Sequence, residues 1–369
     1  MSATLFNTRL QTLDKAAIRK VLVIKWSAMG DLVMAGAAFE DIARTFREAR
    51  IDLDTLPPWD TLYREDPRFD HIHCFNLRHG GLVQSWRWLK AIAKVNYDLV
   101  IDLQTTDRSR IQLALLGLLF KPIRYRAGNK QAWPYNLRLN SERPHVVPRH
   151  ALQIAGETLA AAGINAATVY PHLHIPKTVR ASVKALLHTR GLDNRRFAAL
   201  LPGCQAAGYL KRWGKQNYVE FARSLLERDI ERIVILGGPD EMEECAGIAS
   251  ALGNSAVNLC GQTALLELPM ICEKATITIA NDTGTAHLAS AANIPMVVVC
   301  GPTDPRRVLP AGANVRPAQL SLPCINCYRK HCAHHSCMRL LTPQAVMRIA
   351  ESIVPALRPV DRSAPSVSA

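Results

Sequence analysis

No stretch of this 369-residue chain stays apolar long enough to cross a bilayer. The Leu-rich run IQLALLGLLF has ten residues, where a spanning helix needs about 20, and it reads as a buried helix instead. The opening segment, MSATLFNTRLQTLDKAAIRK, lacks the continuous apolar core and small-residue cleavage site of a secretory leader. Ten cysteines without such a leader are expected in a reducing, cytosolic setting. No solenoid-type repeat is present. Carboxylates are scarce: 31 Asp and Glu stand against 45 Lys and Arg, a formal charge of +14. That surplus favours an anionic partner, whether nucleic acid, an acidic membrane surface or a phosphorylated small molecule.

What the chain does have is apolar residues, 48% of the total, in alternating strand-like and helix-like runs. This grammar predicts an α/β fold with parallel sheets. Strands are expected at KVLVIKW, RIDLDTL, YDLVIDL and PIRYRAG in a first unit, and at RFAALL, RIVIL, ATITIA and PMVVV in a second. A helix starting near Asp31 buries Leu32, Ala35, Phe39, Ile42, Ala43 and Phe46 on one face. The segment 165–176, poor in pattern and with two prolines, marks the connection. The expected division is 1–170 and 171–356, with a polar, disordered tail at 357–369. In doubly wound units of this kind, ligands sit beyond the carboxyl ends of the strands.

Several loops after strands carry chemistry. In NDTGTAHLAS, Thr283 is a helix N-cap with Asp282 before it, Gly284 leaves backbone amides open, and His287 returns to the same face one turn on. A helix N-terminus of this form attracts phosphate; equally, Asp and Thr simply cap the helix while His287 packs. In GGPDEMEE, Asp240 and Glu243 have capping-box spacing, and Glu241 is left to reach outward as a ribose ligand. GYLKRWGK puts Lys211 and Arg212 on a loop where a cation offsets diphosphate charge, although a solvated basic loop fits too. SAMGDL places Asp31 between strand and helix, as a cap or facing a cleft. Asp52 and Asp54 form a D-x-D pair, which strand alternation explains better than metal binding. Cys324, Cys327, Cys332 and Cys337 follow C-x2-C-x4-C-x4-C, with His331, His334 and His335 nearby, either a structural zinc knuckle or a packed cluster of reduced thiols.

Together these loops resemble the ADP-heptose:lipopolysaccharide heptosyltransferases, glycosyltransferase family nine. The resemblance is carried in order by VLVIKWSAMGDLVMAGAAFEDIARTF, YDLVIDLQTTDRS, LLPGCQAAGYLKRWGKQNYVEFA, VILGGPDEMEE, CGQTALLEL, NDTGTAHLASAANIPMVVVCGPTDP and CINCYRKHCAHHSCMRLLTPQAV, over roughly residues 20 to 350. It implies a GT-B architecture of two Rossmann-like domains facing across a cleft, the N-terminal one binding acceptor and the C-terminal one nucleotide-sugar. It further implies that Asp31 is the general base of an inverting transfer and that Lys211 lies at the donor diphosphate. Glu241 lies at the ribose, with Asp282, Thr283, Gly284 and His287 around the sugar-nucleotide and Thr263 at a further nucleotide contact. The implied partners are ADP-heptose and a lipid A–inner core acceptor at the cytoplasmic face of the inner membrane, with the chain bound peripherally. No cofactor is required by the chemistry, and the cysteine cluster receives no role. Arg108, Arg110, Arg124 and Arg126 are acceptor candidates from charge and loop placement. A different donor or polysaccharide acceptor on the same fold is the alternative; a basic zinc-containing nucleic-acid-binding protein would leave the matched loops unexplained.

Overall fold

The computed structural model describes residues 13–104, 106–128, 132–137, 148–204 and 206–358. The chain divides into two compact units, Met1–Pro176 and Lys177–Ala369. The division falls at the end of the segment 165–176. Thr168 donates its amide and its hydroxyl to the buried Asp41 carboxylate, the hydroxyl at 2.6 Å. Arg68 donates to the His172 carbonyl at 3.0 Å, so this stretch is fastened to the first unit.

The first unit is a five-stranded parallel sheet of β1 (Lys20–Ile24), β2 (Arg50–Thr55), β3 (His71–Cys74), β4 (Leu99–Asp102) and β5 (Tyr125–Gly128). The spatial order is β3-β2-β1-β4-β5. Its helices are α1 (Met29–Met34), α2 (Gly36–Thr45), α3 (Gly81–Val95), α4 (Asp107–Leu119) and α5 (Ala151–Ala161). β1 is a run of Val, Leu and Ile because helices cover both faces of a parallel sheet, leaving no face for polar alternation. Leu22, Ile24, Trp26, Trp88, Leu89, Ile92 and Val100 pack together in its core. The helix expected from Asp31 is two helices meeting at Ala35, and of its predicted inner face all but Ala43 is buried.

The second unit begins with α6 (Lys177–Thr189) and has six parallel strands: β6 (Phe197–Leu201), β7 (Arg232–Ile235), β8 (Ala256–Asn258), β9 (Ile277–Asn281), β10 (Met296–Val299) and β11 (Val315–Ala318). Their order is β11-β10-β9-β6-β7-β8. The accompanying helices are α7 (Lys215–Leu226), α8 (Met242–Leu252), α9 (Glu267–Glu273), α10 (Gly284–Ser290), α11 (Pro305–Val308), α12 (Ser336–Arg339) and α13 (Pro343–Ile353). Tyr218, Phe221 and Leu225 of α7 and Val346, Met347 and Ala350 of α13 meet Ile233, Ile279 and Val297 of the sheet in one core.

Each sheet reverses its winding once. In the first, the chain runs β1 to β3 toward one edge and resumes at β4 on the other side of β1. In the second, it runs β6 to β8 and resumes at β9 beside β6. Loops leaving β1 and β4, or β6 and β9, therefore diverge and open a crevice at the strands' carboxyl ends.

Three expectations are corrected here. The Leu-rich run is not a buried helix: α4 leaves Ile111, Leu118 and Leu119 exposed, since only one side of it meets the core. Asp52 and Asp54 are both fully buried rather than alternating outward, because β2 lies inside the sheet with both faces covered. Arg50 and Tyr97 donate to Asp52, and Trp88 donates to Asp54. Leu357, assigned to the trailing tail, is buried; the remainder of that tail from 359 lies outside the described residues, as do residues 1–12.

Candidate active site

In the first unit, Asp31 stands in the first turn of α1, immediately after the loop that leaves β1. It lines a cavity of about 300 Å³ at the reversal of the sheet, with Lys25, Ser27, Leu103, Gln104 and Thr106. Lys25, at the end of β1, was not singled out from sequence. Its ammonium donates to the Leu103 carbonyl at 3.1 Å. Burial lowers its pKa, and the carboxylates of Asp31 and Asp102 act in the opposite direction. Ser27 Oγ and Gln104 Oε1 are buried without a hydrogen-bond partner among the described residues. Buried polar atoms normally find partners, so these two stand out beside the cavity. No periodicity or spacing marks either residue in the sequence.

The arginines separate. Arg108 is exposed on the first turn of α4, and Arg110 pairs with Asp107 at 3.4 Å. Arg124 lies over the Tyr125 ring, 4.9 Å from its centroid. Arg126 corrects its expectation as an acceptor ligand: its guanidinium donates to the Pro134 carbonyl at 2.5 Å and to that of Ile123. The first bond ties Pro134, beyond β5, to the strand and the second ties the strand to Ile123 before it, while burial lowers the pKa of the guanidinium. None of the four is among the residues around the Asp31 cavity.

In the second unit the reversal lies between β6 and β9, and Asn281 closes it. Its side-chain amide donates to the carbonyls of Pro202 and Gly203, the latter at 3.2 Å. Its oxygen accepts from the Trp213 amide at 3.2 Å and the Tyr218 hydroxyl at 3.1 Å. One side chain thus ties the loop after β6 to the start of α7. The next residue, Asp282, is almost completely buried and accepts from Lys211 Nζ at 2.9 Å and from Thr303 Oγ1 at 2.6 Å. The sequence pattern pointed to Lys211 and Asp282 separately; their pairing, and the parts played by Asn281 and Thr303, needed the fold. Arg212 turns elsewhere, to the Cys204 carbonyl at 2.7 Å and Glu244 at 3.5 Å.

Thr283 is the N-cap residue of α10, but its hydroxyl turns to Thr285 Oγ1 at 2.8 Å and makes no capping bond. The first amides of the helix, starting at Gly284, are consequently not covered by that side chain, and a helix start carries partial positive charge. His287 is buried in the same helix. Thr263 is half-buried on the turn between β8 and α9.

Glu241 departs from expectation. Its carboxylate folds back to accept from the Gly238 amide instead of reaching outward, and no capping box forms between Asp240 and Glu243. The same side chain lies over Gly203, where an added Cβ would stand 1.9 Å from Glu241 Cγ. Glycine is required there by close approach.

Cys324, Cys327, Cys332 and Cys337 surround one small cavity with His334 and His335, and all four are free thiols. Burial raises the pKa of Cys337, and the neighbouring thiols add to the shift. Among the described residues, no three His, Cys, Asp or Glu side chains are grouped so as to hold a metal ion.

Two parallel α/β units, one with a carboxylate-bearing cavity and the other with a lysine–aspartate pair beside an open helix start, each at a sheet reversal, make up a fold of the GT-B class. The family model for glycosyltransferase family 9 (heptosyltransferase) matches residues 85–337. The chain belongs to this family. It is 26% identical over 301 residues to lipooligosaccharide heptosyltransferase 2 of Haemophilus ducreyi, covering 78% of this chain and 84% of that one. It is 26% identical over 360 residues to lipopolysaccharide heptosyltransferase 2 of Salmonella typhimurium, covering 91% and 98%. Among solved structures it is similar to the ADP-heptose lps heptosyltransferase II of E. coli, with a TM-score of 0.69 and 20% identity over 91% of this chain and 98% of that chain.

Proposed function

We propose that this glycosyltransferase transfers heptose from ADP-heptose to the lipopolysaccharide inner core with inversion, working at the cytoplasmic face of the inner membrane. The acceptor hydroxyl attacks the anomeric carbon while the bond from that carbon to the ADP oxygen breaks. Asp31 takes the proton of the attacking hydroxyl. A carboxylate is a weak base in water, so its value here lies in position and in accepting the proton as the new bond forms. Ser27 and Gln104, which line the Asp31 cavity, offer polar side chains to the acceptor sugar. Lys25 offers a cation to the anionic groups of an inner-core acceptor.

On the donor side, Lys211 and the open amides at the start of α10 offset the charge that grows on the departing diphosphate. Asp282 holds the lysine in place before the donor arrives. The single observation that carries this reading is the Lys211–Asp282–Thr303 arrangement at the sheet reversal, beside a helix start that its own cap residue leaves uncovered.

The direct test is incubation of the purified chain with ADP-heptose and a heptose-deficient core acceptor. Heptosylated acceptor and an equal amount of ADP are expected. Calorimetry across a donor panel is expected to favour the ADP-sugar; preference for UDP- or GDP-sugars would replace the donor assignment.

A further inference from the structure

The acceptor of the proposed reaction is a lipid, and the first unit carries an exposed surface suited to a bilayer. Leu82 is 88% exposed, Val83 63% and Trp86 45%, all in the first two turns of α3. Ile111, Leu118 and Leu119 of α4 are each more than half exposed. The two helices lie side by side, joined by the Trp86 and Phe120 rings at 5.8 Å and by Gln112 donating to Ser85 Oγ at 2.8 Å. Scattered surface leucines are ordinary; six large apolar side chains on two adjoining helices are not.

Positive charge predominates around these residues; the exposed Asp107, four residues before Ile111, pairs with Arg110. No Asp or Glu occurs from 71 to 97 or from 108 to 126. Arg87, Lys90, Lys94, Lys121 and Arg124 are exposed in those stretches, and Lys90 Nζ stands 5.2 Å from the Trp86 ring centroid. On α3 the apolar side chains occupy the first turns and the cations follow on the next, so the surface pairs a greasy part with a basic rim. No helix among the described residues is long and apolar enough to cross a membrane. A surface of this composition binds by sinking apolar side chains into the headgroup boundary while cations meet anionic lipid.

We propose that the exposed faces of α3 and α4 form a docking surface for an anionic lipid bilayer. The inference rests on the proposed function in one respect only: a lipid acceptor gives the docking its purpose. Its evidence is separate, since Leu82, Trp86 and Leu118 are not among the residues around the Asp31 cavity.

The test is sedimentation of the full chain with vesicles of phosphatidylcholine, alone or with phosphatidylglycerol. The chain is expected to bind the mixed vesicles, to lose binding as salt rises, and to bind neutral vesicles far less. L82Q/L118Q, which changes two exposed side chains, and K90E/K94E should each weaken binding by at least about tenfold. Both variants should transfer heptose to a water-soluble, deacylated acceptor at the wild-type rate, so failure of docking and failure of the transferase reading remain distinguishable. Equal binding to neutral and anionic vesicles, or unaltered binding by L82Q/L118Q, would overturn the proposal. So would light scattering that shows a wild-type dimer made monomeric by L82Q/L118Q, since the face would then belong to a second copy.

Discussion

Lys211 Nζ lies 2.9 Å from the Asp282 carboxylate, which also accepts the Thr303 hydroxyl at 2.6 Å. The aspartate is buried while the lysine is about a third exposed, so the cation is positioned by the protein and still reachable by a ligand. Lys211→Ala should weaken ADP binding and lower turnover together, turnover by at least about a hundredfold if the lysine stabilises the leaving group. It should also cost stability, on the order of 1–3 kcal/mol, because a buried carboxylate loses a charged partner. Steady-state kinetics with ADP calorimetry checks the first part and denaturant unfolding the second.

Glu241 and Gly203 form a second pair. Gly203→Ala would place a methyl group 1.9 Å from Glu241 Cγ, so the glutamate must leave its position against the Gly238 amide. If that turn shapes the nucleotide site, ADP affinity should fall with little change in turnover at saturating donor. Glu241→Ala should reproduce the affinity loss. Unchanged ADP binding in both would remove this turn from the donor site.

The repeated strand-and-helix grammar was legible because parallel strands with both faces covered are continuous apolar runs: β1, β6, β9 and β10 stand out at once. β3, β8 and β11 were missed, and each is an edge strand. β3 contains two histidines, β8 has three residues and β11 contains Pro317, all tolerated at an edge where one side of the ladder is unpaired. Of the site residues, Lys211 and Asp282 were legible from their motifs. Asn281 and Thr303 were not, since their importance lies in bonds across 60 to 80 residues or across 21 residues between different loops. Lys25 reads as the end of an apolar strand, and only the fold sets it beside Asp31.

Asn281 is expected to be the most sensitive uncharged position in the second unit. Asn281→Ala leaves the Pro202 and Gly203 carbonyls, the Trp213 amide and the Tyr218 hydroxyl without this partner in a buried place. The cost should be about 2–4 kcal/mol. Urea unfolding should show it as a lowered midpoint with an unchanged slope, and a change below about 0.5 kcal/mol would show that the hub is dispensable.

The buried acids of β2 predict opposite pH dependences. Burial pushes the Asp54 pKa up to about 7, against the opposing hydrogen bond from Trp88. Between its ordinary value of 3.8 and about 7, the folded chain holds a proton that the unfolded chain has lost. Its contribution to stability is therefore fully present at low pH, declines as pH rises through that window, and is level above it. Asp52 behaves in the reverse sense: burial alone would raise its pKa, but hydrogen bonds from His73, Arg50 and Tyr97 outweigh it and hold the carboxyl well below the usual range. Its contribution is present above the ordinary carboxylate pKa and is lost as pH falls below that value. Urea midpoints for Asp54→Asn should therefore decline less between pH 4 and 7 than those of the wild type, by on the order of a few kcal/mol in stability. Parallel pH profiles for the two proteins would contradict the assignment.

The transferase account stands most directly on Asp31. The measurement is heptose transfer from ADP-heptose to a heptose-deficient core acceptor by wild type and Asp31→Asn, with ADP affinity and unfolding recorded for both. The account predicts that the variant folds and binds ADP as the wild type does, while turnover falls between about a hundredfold and ten-thousandfold. Turnover retained by Asp31→Asn would take the base away from this residue, and no transfer by the wild type under conditions where a known heptosyltransferase is active would contradict the proposed reaction itself.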